Sequence, residues 1–170
     1  MKNCTFFGHS DAPPDIRGIL KETITELIEQ HQVHEFLVGN HGKFDSMVKS
    51  VLKELQDIHP QVHYTVVLAY FPKEKILGEN TLLPEGIELC HPKAAIDYRN
   101  KWMLDRSEYV ISYVNRSFGG AQKFYRKAVR QNKKVVNIAY NRFRHYGTIH
   151  YKILNKAPDR RQICRGDFSV

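Results

Sequence analysis

Three short segments combine glycine with polar side chains in a pattern suited to binding an anion. They are Gly8-His9-Ser10-Asp11, Gly39-Asn40-His41-Gly42 and Asn115-Arg116-Ser117-Phe118-Gly119-Gly120, and each follows an apolar, β-prone run. Glycine lets the backbone adopt positive φ and approach a ligand closely, and a helix that follows aims free N–H groups and partial positive charge at it. Phosphate is the natural ligand for such turns, and Gly8, His9, Ser10, Gly39, Asn40, Gly42, Arg116, Gly119 and Gly120 are the candidate binding residues. The steric demand of a strand-to-helix turn explains any one of these glycines equally well, and neither Gly-x-Gly-x-x-Gly nor a Walker sequence is present. His9 suits phosphate donation or acid-base work near neutral pH, and equally suits a hydrogen-bonded loop.

These turns need elements to hold them. Cys4 to Phe7, Glu35 to Gly39, Tyr64 to Ala69, Tyr109 to Val114 and Val135 to Ile138 read as five strands. Between them, Ile16, Ile19, Leu20, Ile24, Leu27 and Ile28 form one helical stripe, and Phe44, Met47, Val48, Val51, Leu52, Leu55 and Ile58 another. Pro13-Pro14-Asp15 suits the first helix start and His59-Pro60 stops the second. Two less periodic helices are expected from about Pro92 to Asp105 and from Gly120 to Gln131, with Trp102 read as core. The long connection from Phe71 to His91 is expected to flank the ligand.

Regular alternation of this kind implies a parallel sheet with helices on both faces, a three-layer α/β sandwich of Rossmann type with ligands outside the carboxyl ends of its strands. A length of 170 residues is enough for one such core, and 42% hydrophobic with 26% charged residues is ordinary globular composition. No apolar run approaches the roughly 20 residues that cross a bilayer, and no signal-type segment opens the chain, so a cytoplasmic protein without membrane contact is expected. Cys4, Cys90 and Cys164 stand far apart with no CxxC, which fits a reducing compartment and gives no zinc-site spacing, so no metal is expected.

The residues also carry a resemblance. Cys4-Thr5-Phe6-Phe7-Gly8-His9 and Phe36 to Asp45 are similar to the first two strand-to-helix turns of the SLOG superfamily. Arg99-Asn100-Lys101-Trp102-Met103-Leu104-Asp105-Arg106-Ser107-Glu108-Tyr109-Val110-Ile111, with Gly119-Gly120-Ala121, resembles its small bacterial YpsA-like branch. The superfamily includes DNA-processing protein A and the Lonely Guy phosphoribohydrolases. The resemblance spans residues 4 to 139 and implies a pocket for a nucleotide or nucleotide-derived ligand such as an ADP-ribose-like molecule, with Arg99 and Asn100 added to the binding set. No further cofactor follows from it.

Hydrolysis of the Lonely Guy kind needs a glutamate after a Pro-Gly-Gly-x-Gly-Thr loop. Here Phe118 replaces the proline, Gln122 and Lys123 replace Gly-Thr, and Tyr125 and Arg126 stand where the glutamates belong. Tyrosine and arginine neither stabilise an oxocarbenium-like ribose nor activate water as a carboxylate does. Asp45, Asp105 and Glu108 are the available substitutes, each with a structural reading beside it. The expectation is therefore a ligand-binding or sensing domain over residues 1–140, with a nucleotide-processing hydrolase as the alternative and no catalytic residue assigned.

The net charge of +8 is unevenly placed, with seven Lys and Arg against two Asp after residue 140. This extension, residues 141–170, mixes cations and rings at Arg142, Phe143, Arg144, Tyr146, Tyr151 and Lys152. Thr148 to Leu154 is β-prone and is expected as an extra edge strand, docked on the sheet or on a second subunit of a homo-oligomer. Single-stranded nucleic acid is the lesser alternative for this segment.

Overall fold

The computed structural model describes residues 2–72 and 80–140. Its elements are β1 Asn3–Gly8, α1 Arg17–His31, β2 Glu35–Val38, α2 Gly42–Ile58, β3 His63–Val67, β4 Thr81–Leu82, α3 Ala95–Asp105, β5 Tyr109–Tyr113, α4 Gly120–Arg130 and β6 Lys134–Asn137. Every pairing is parallel and the strand order is β4-β3-β2-β1-β5-β6. The protein is an α/β sandwich with helices on both faces of the sheet.

Period-two alternation divides the strands between two cores. Cys4 and Phe6 of β1, with Phe36, Val38, Ile111 and Tyr113, pack against Leu20, Ile24, Leu27 and Leu52 of α1 and α2. Phe7, Val67 and Val110 point the other way, against Met103 and Leu104 of α3 and Phe124 and Ala128 of α4. Trp102 packs at the margin of this second core, with the Arg106 guanidinium 4.0 Å from its ring centre. Burying side chains of this size contributes about 1.5 to 3 kcal/mol each, so both layers hold the sheet from either side.

The helix ends follow local chemistry. A 3-10 turn at Pro14–Ile16 leads into α1 with proline in its first turn, and Gln32 closes the helix in the left-handed region at φ 54°. The stop at His59-Pro60 ends α2 after Ile58, which is 62% exposed and leaves the buried stripe to end at Leu55. α3 begins at Ala95 after a 3-10 turn, and its buried face comprises Ala95, Arg99, Met103 and Leu104. A charged residue at a core position explains its weak periodicity in sequence.

The sheet has six strands where five were expected. The additional one, β4, is two exposed residues in the long connection, held by Val66 N donating to Asn80 O and Leu68 N to Leu82 O, both at 2.8 Å. Beyond it, Ile87 packs with Ala69 and Ala95, and the Tyr98 hydroxyl donates to Glu85 O at 2.6 Å. The segments 73–79 and 141–170, including the expected strand at Thr148 to Leu154, lie outside the described residues. Among the described residues no helix is long and apolar enough to cross a membrane.

Candidate functional site

From β1 the chain runs outward through β2, β3 and β4, then returns to the other side of β1 as β5. Strand order reverses between β1 and β5, which is where open α/β sheets leave a crevice at their carboxyl ends. A cleft of about 320 Å³ opens there, lined by the loops after β1 and β5, the inner face of α3 and the start of α4.

After β1, Gly8 lies under α2. A Cβ at this position would sit 2.3 Å from the Phe44 ring. His9 is 8% exposed, its amide donates to Tyr113 O at 3.3 Å, and its ring meets the Tyr113 ring edge-on. Its Nε2 is buried without a hydrogen-bond partner. Burial, reinforced by the Arg116 charge, holds the His9 imidazole below its ordinary pKa, which favours the neutral ring.

The second turn is packed shut. A Cβ on Gly39 would fall 2.3 Å from Asp45 Oδ2 and 2.5 Å from an Arg99 guanidinium nitrogen. Gly42 has φ +91°, and a Cβ there would lie 2.7 Å from Ser10 Cα. Lys43 N donates to Ser10 O at 2.8 Å, lacing the first two turns together. His41 N donates to Asp45 Oδ2 at 2.9 Å. Thus α2 spends its amino end on its own carboxylate and on a neighbouring carbonyl. Burial raises the Asp45 pKa against the lowering effect of the His41 amide and Arg99.

Arg99 reaches the cleft floor from α3 at 2% exposure. One terminal nitrogen donates to Val67 O at 3.2 Å, while Nε is buried without a partner. A buried N–H with no acceptor costs about 1 to 3 kcal/mol, which a ligand oxygen in reach would recover. Burial also lowers the Arg99 pKa, opposed by Asp45 and Tyr70.

The loop after β5 differs from the second turn. Asn137 steadies its start, accepting from Val114 N at 3.1 Å and donating to Val114 O at 2.9 Å. Arg116 is tied to Asp11 in an exposed ion pair. Gly119 has φ +94° and ψ 175°, a conformation essentially reserved for glycine, and α4 starts without a side-chain cap or an acidic residue in its first turn. A Cβ on Gly119 or Gly120 would meet no atom within 4 Å. Lys123 N bonds Gly119 O, which leaves the amides of Gly120, Ala121 and Gln122 for a ligand.

Of the candidate binding residues, Gly8, His9, Ser10, Arg99, Asn100, Arg116, Gly119 and Gly120 line this cleft. Gly39 and Gly42 do not, and Asn40 lines an adjoining recess of about 210 Å³ with Tyr70, Phe71 and Pro72. No residue from 80 to 91 lines either space. His41, shared by both, and Asp11, Asp45 and Phe118 also line the larger cleft and were not in the binding set. Asp11 had no local signal, because its partner is 105 positions away. Asp105 and Glu108 are engaged elsewhere, by Lys101 and Gln131 and by Lys134. Among the described residues no three His, Cys, Asp or Glu side chains are grouped to hold a metal. The chain matches no protein-family model, and no curated protein matches it.

Proposed function

We propose that this chain is a Rossmann-like, SLOG-type domain that binds a nucleotide or nucleotide-derived ligand, a nucleoside phosphate or an ADP-ribose-like molecule, and reports it to a partner. One observation carries the reading: the uncapped amino end of α4 at Gly119-Gly120 opens into the same cleft as the unpartnered His9 Nε2 and Arg99 Nε. Backbone amides at a helix start complement a phosphate, and an arginine N–H complements a second oxygen. A volume of about 320 Å³ lies within the range of small-ligand pockets. The residues from Gln122 to Arg126 put no carboxylate at the head of α4, which favours retention over glycosidic hydrolysis.

A hydrolase reading rests on Asp45, a buried carboxyl lining the cleft whose raised pKa suits proton donation. Release of free base from a nucleoside monophosphate, lost in Asp45→Asn, would establish it.

Thermal unfolding against nucleoside monophosphates, dinucleotides and ADP-ribose tests the binding reading. A ligand at about 100 times its Kd adds about 2.7 kcal/mol, a shift of roughly 5 to 10 °C for a chain of this size. Gly120→Asp projects a carboxylate into open space, so the unliganded Tm should hold and the shift should vanish. A flat panel, or an unchanged shift in Gly120→Asp, would sink the proposal.

A further inference from the structure

Charge is divided along the chain. Residues 1–108 carry 12 Lys and Arg against 16 Asp and Glu, whereas residues 109–158 carry 11 Lys and Arg and no acidic residue. In the described fold this excess surfaces on α4. One edge of the helix is balanced by α3, since Lys123 pairs with Asp97 and Lys127 lies in the field of Asp105. The other edge is unbalanced: Arg126 and Arg130, exposed and one helical turn apart, and Lys133 directly beyond the helix have no partner among the described residues.

Favourable interaction with the helix carboxyl end accounts for Arg130 in the last turn. It does not account for Arg126 or Lys133, and no acidic residue stands between Arg116 and Lys134 to balance them locally. The apolar side of α4 is used, with Phe124 and Ala128 buried in the core, so the helix has no greasy face to lay into a bilayer. Phe118, 70% exposed just ahead of α4, is the one large apolar side chain exposed between residues 116 and 134. A protein partner wants a cluster of apolar anchors, whereas a phosphate backbone wants cations and single-stranded bases want an occasional ring.

We propose that the outer face of α4, through Arg126, Arg130 and Lys133, binds the phosphate backbone of single-stranded nucleic acid. Arg126 and Arg130 stand about 6 Å apart along the helix axis, and Lys133 follows in the turn that closes the helix, so the three can engage successive phosphates. Arg126, Arg130 and Lys133 do not line the cleft between β1 and β5, although Phe118 does.

The test measures anisotropy of a labelled 20-nucleotide oligouridylate with the full chain between 50 and 200 mM NaCl. Two triple variants carry the same change in net charge: Arg126→Gln with Arg130→Gln and Lys133→Gln, and Arg17→Gln with Lys21→Gln and Lys53→Gln on the α1 and α2 side. The first should weaken binding at least about tenfold at 100 mM and reduce the slope of log K against log salt by about 2, at roughly 0.7 per phosphate released. The second should leave both within about twofold. Equal losses in the two variants would reduce the effect to net charge and overturn the proposal. So would no binding by the parent at 50 mM, or equal affinity for phosphatidylserine vesicles or polyglutamate. Arg126→Gln alone, with unchanged Tm, should give about a third of the change in slope.

Discussion

The turn from β2 into α2 and the turn from β5 into α4 begin from similar material, a strand end, a glycine and a helix start, and reach opposite outcomes. In the first, Asp45 takes the His41 amide, Ser10 O takes the Lys43 amide, and atoms lie within 3 Å of where a Cβ on Gly39 or Gly42 would stand. In the second, no acid enters the first turn of α4 and a Cβ on Gly119 or Gly120 would meet no atom within 4 Å. Glycine at the end of a parallel strand thus answers two needs, close packing of neighbouring loops and room for a ligand, and the surrounding side chains decide which.

Gly42→Ala attacks the closed turn and should have the largest effect. Positive φ and a clash with Ser10 Cα together should remove about 3 kcal/mol, read as a lower denaturation midpoint at unchanged m. In the open turn, Gly119→Ala meets backbone strain without a clash and should cost about 2 kcal/mol. Gly120→Ala should reverse the sign, stabilising by up to about 1 kcal/mol because alanine restricts the unfolded chain and suits the helix start. The same substitution should weaken any nucleotide found to bind. A destabilised Gly120→Ala would show that the open turn is packed after all.

The smallest effect is one of pH. Because the His9 pKa is lowered by folding, its contribution to stability is complete above about 6.5, the ordinary value, and is lost as pH falls through the folded value. His9→Gln should flatten the acid limb of a stability curve below about pH 6.5. An anion in the cleft favours the protonated ring, so a phosphate ligand should bind more tightly at pH 6 than at pH 8, and less so in His9→Gln. A His9 resonance titrating at or above 6.5 in the free protein would contradict the burial assigned to it.

Apolar spacing made the five longer strands and the first two helices legible, and α3 and α4 less so, with ends displaced by at most three residues. Thr81–Leu82 gave no such signal, because two exposed residues held by backbone bonds are too short a run to show alternation. Ile58 fitted the α2 stripe by spacing, yet lies in the last turn where the core has ended. In the candidate site, Gly119-Gly120 and Arg99 could be picked from sequence, but the partition among glycines could not. That partition depends on Phe44 over Gly8, on Asp45 and Arg99 beside Gly39, and on Ser10 against Gly42, contacts made only when separate loops meet.

The bond from Lys43 N to Ser10 O joins two loops that belong to different crossovers. Neither can part from the other without uncovering buried Phe44, so this amide should exchange its hydrogen with solvent only when the whole domain opens. The amides of Gly120, Ala121 and Gln122 have no such anchor and should exchange orders of magnitude faster. One wall of the cleft therefore moves on the timescale of global unfolding, while the other remains free to register an occupant by slowing down.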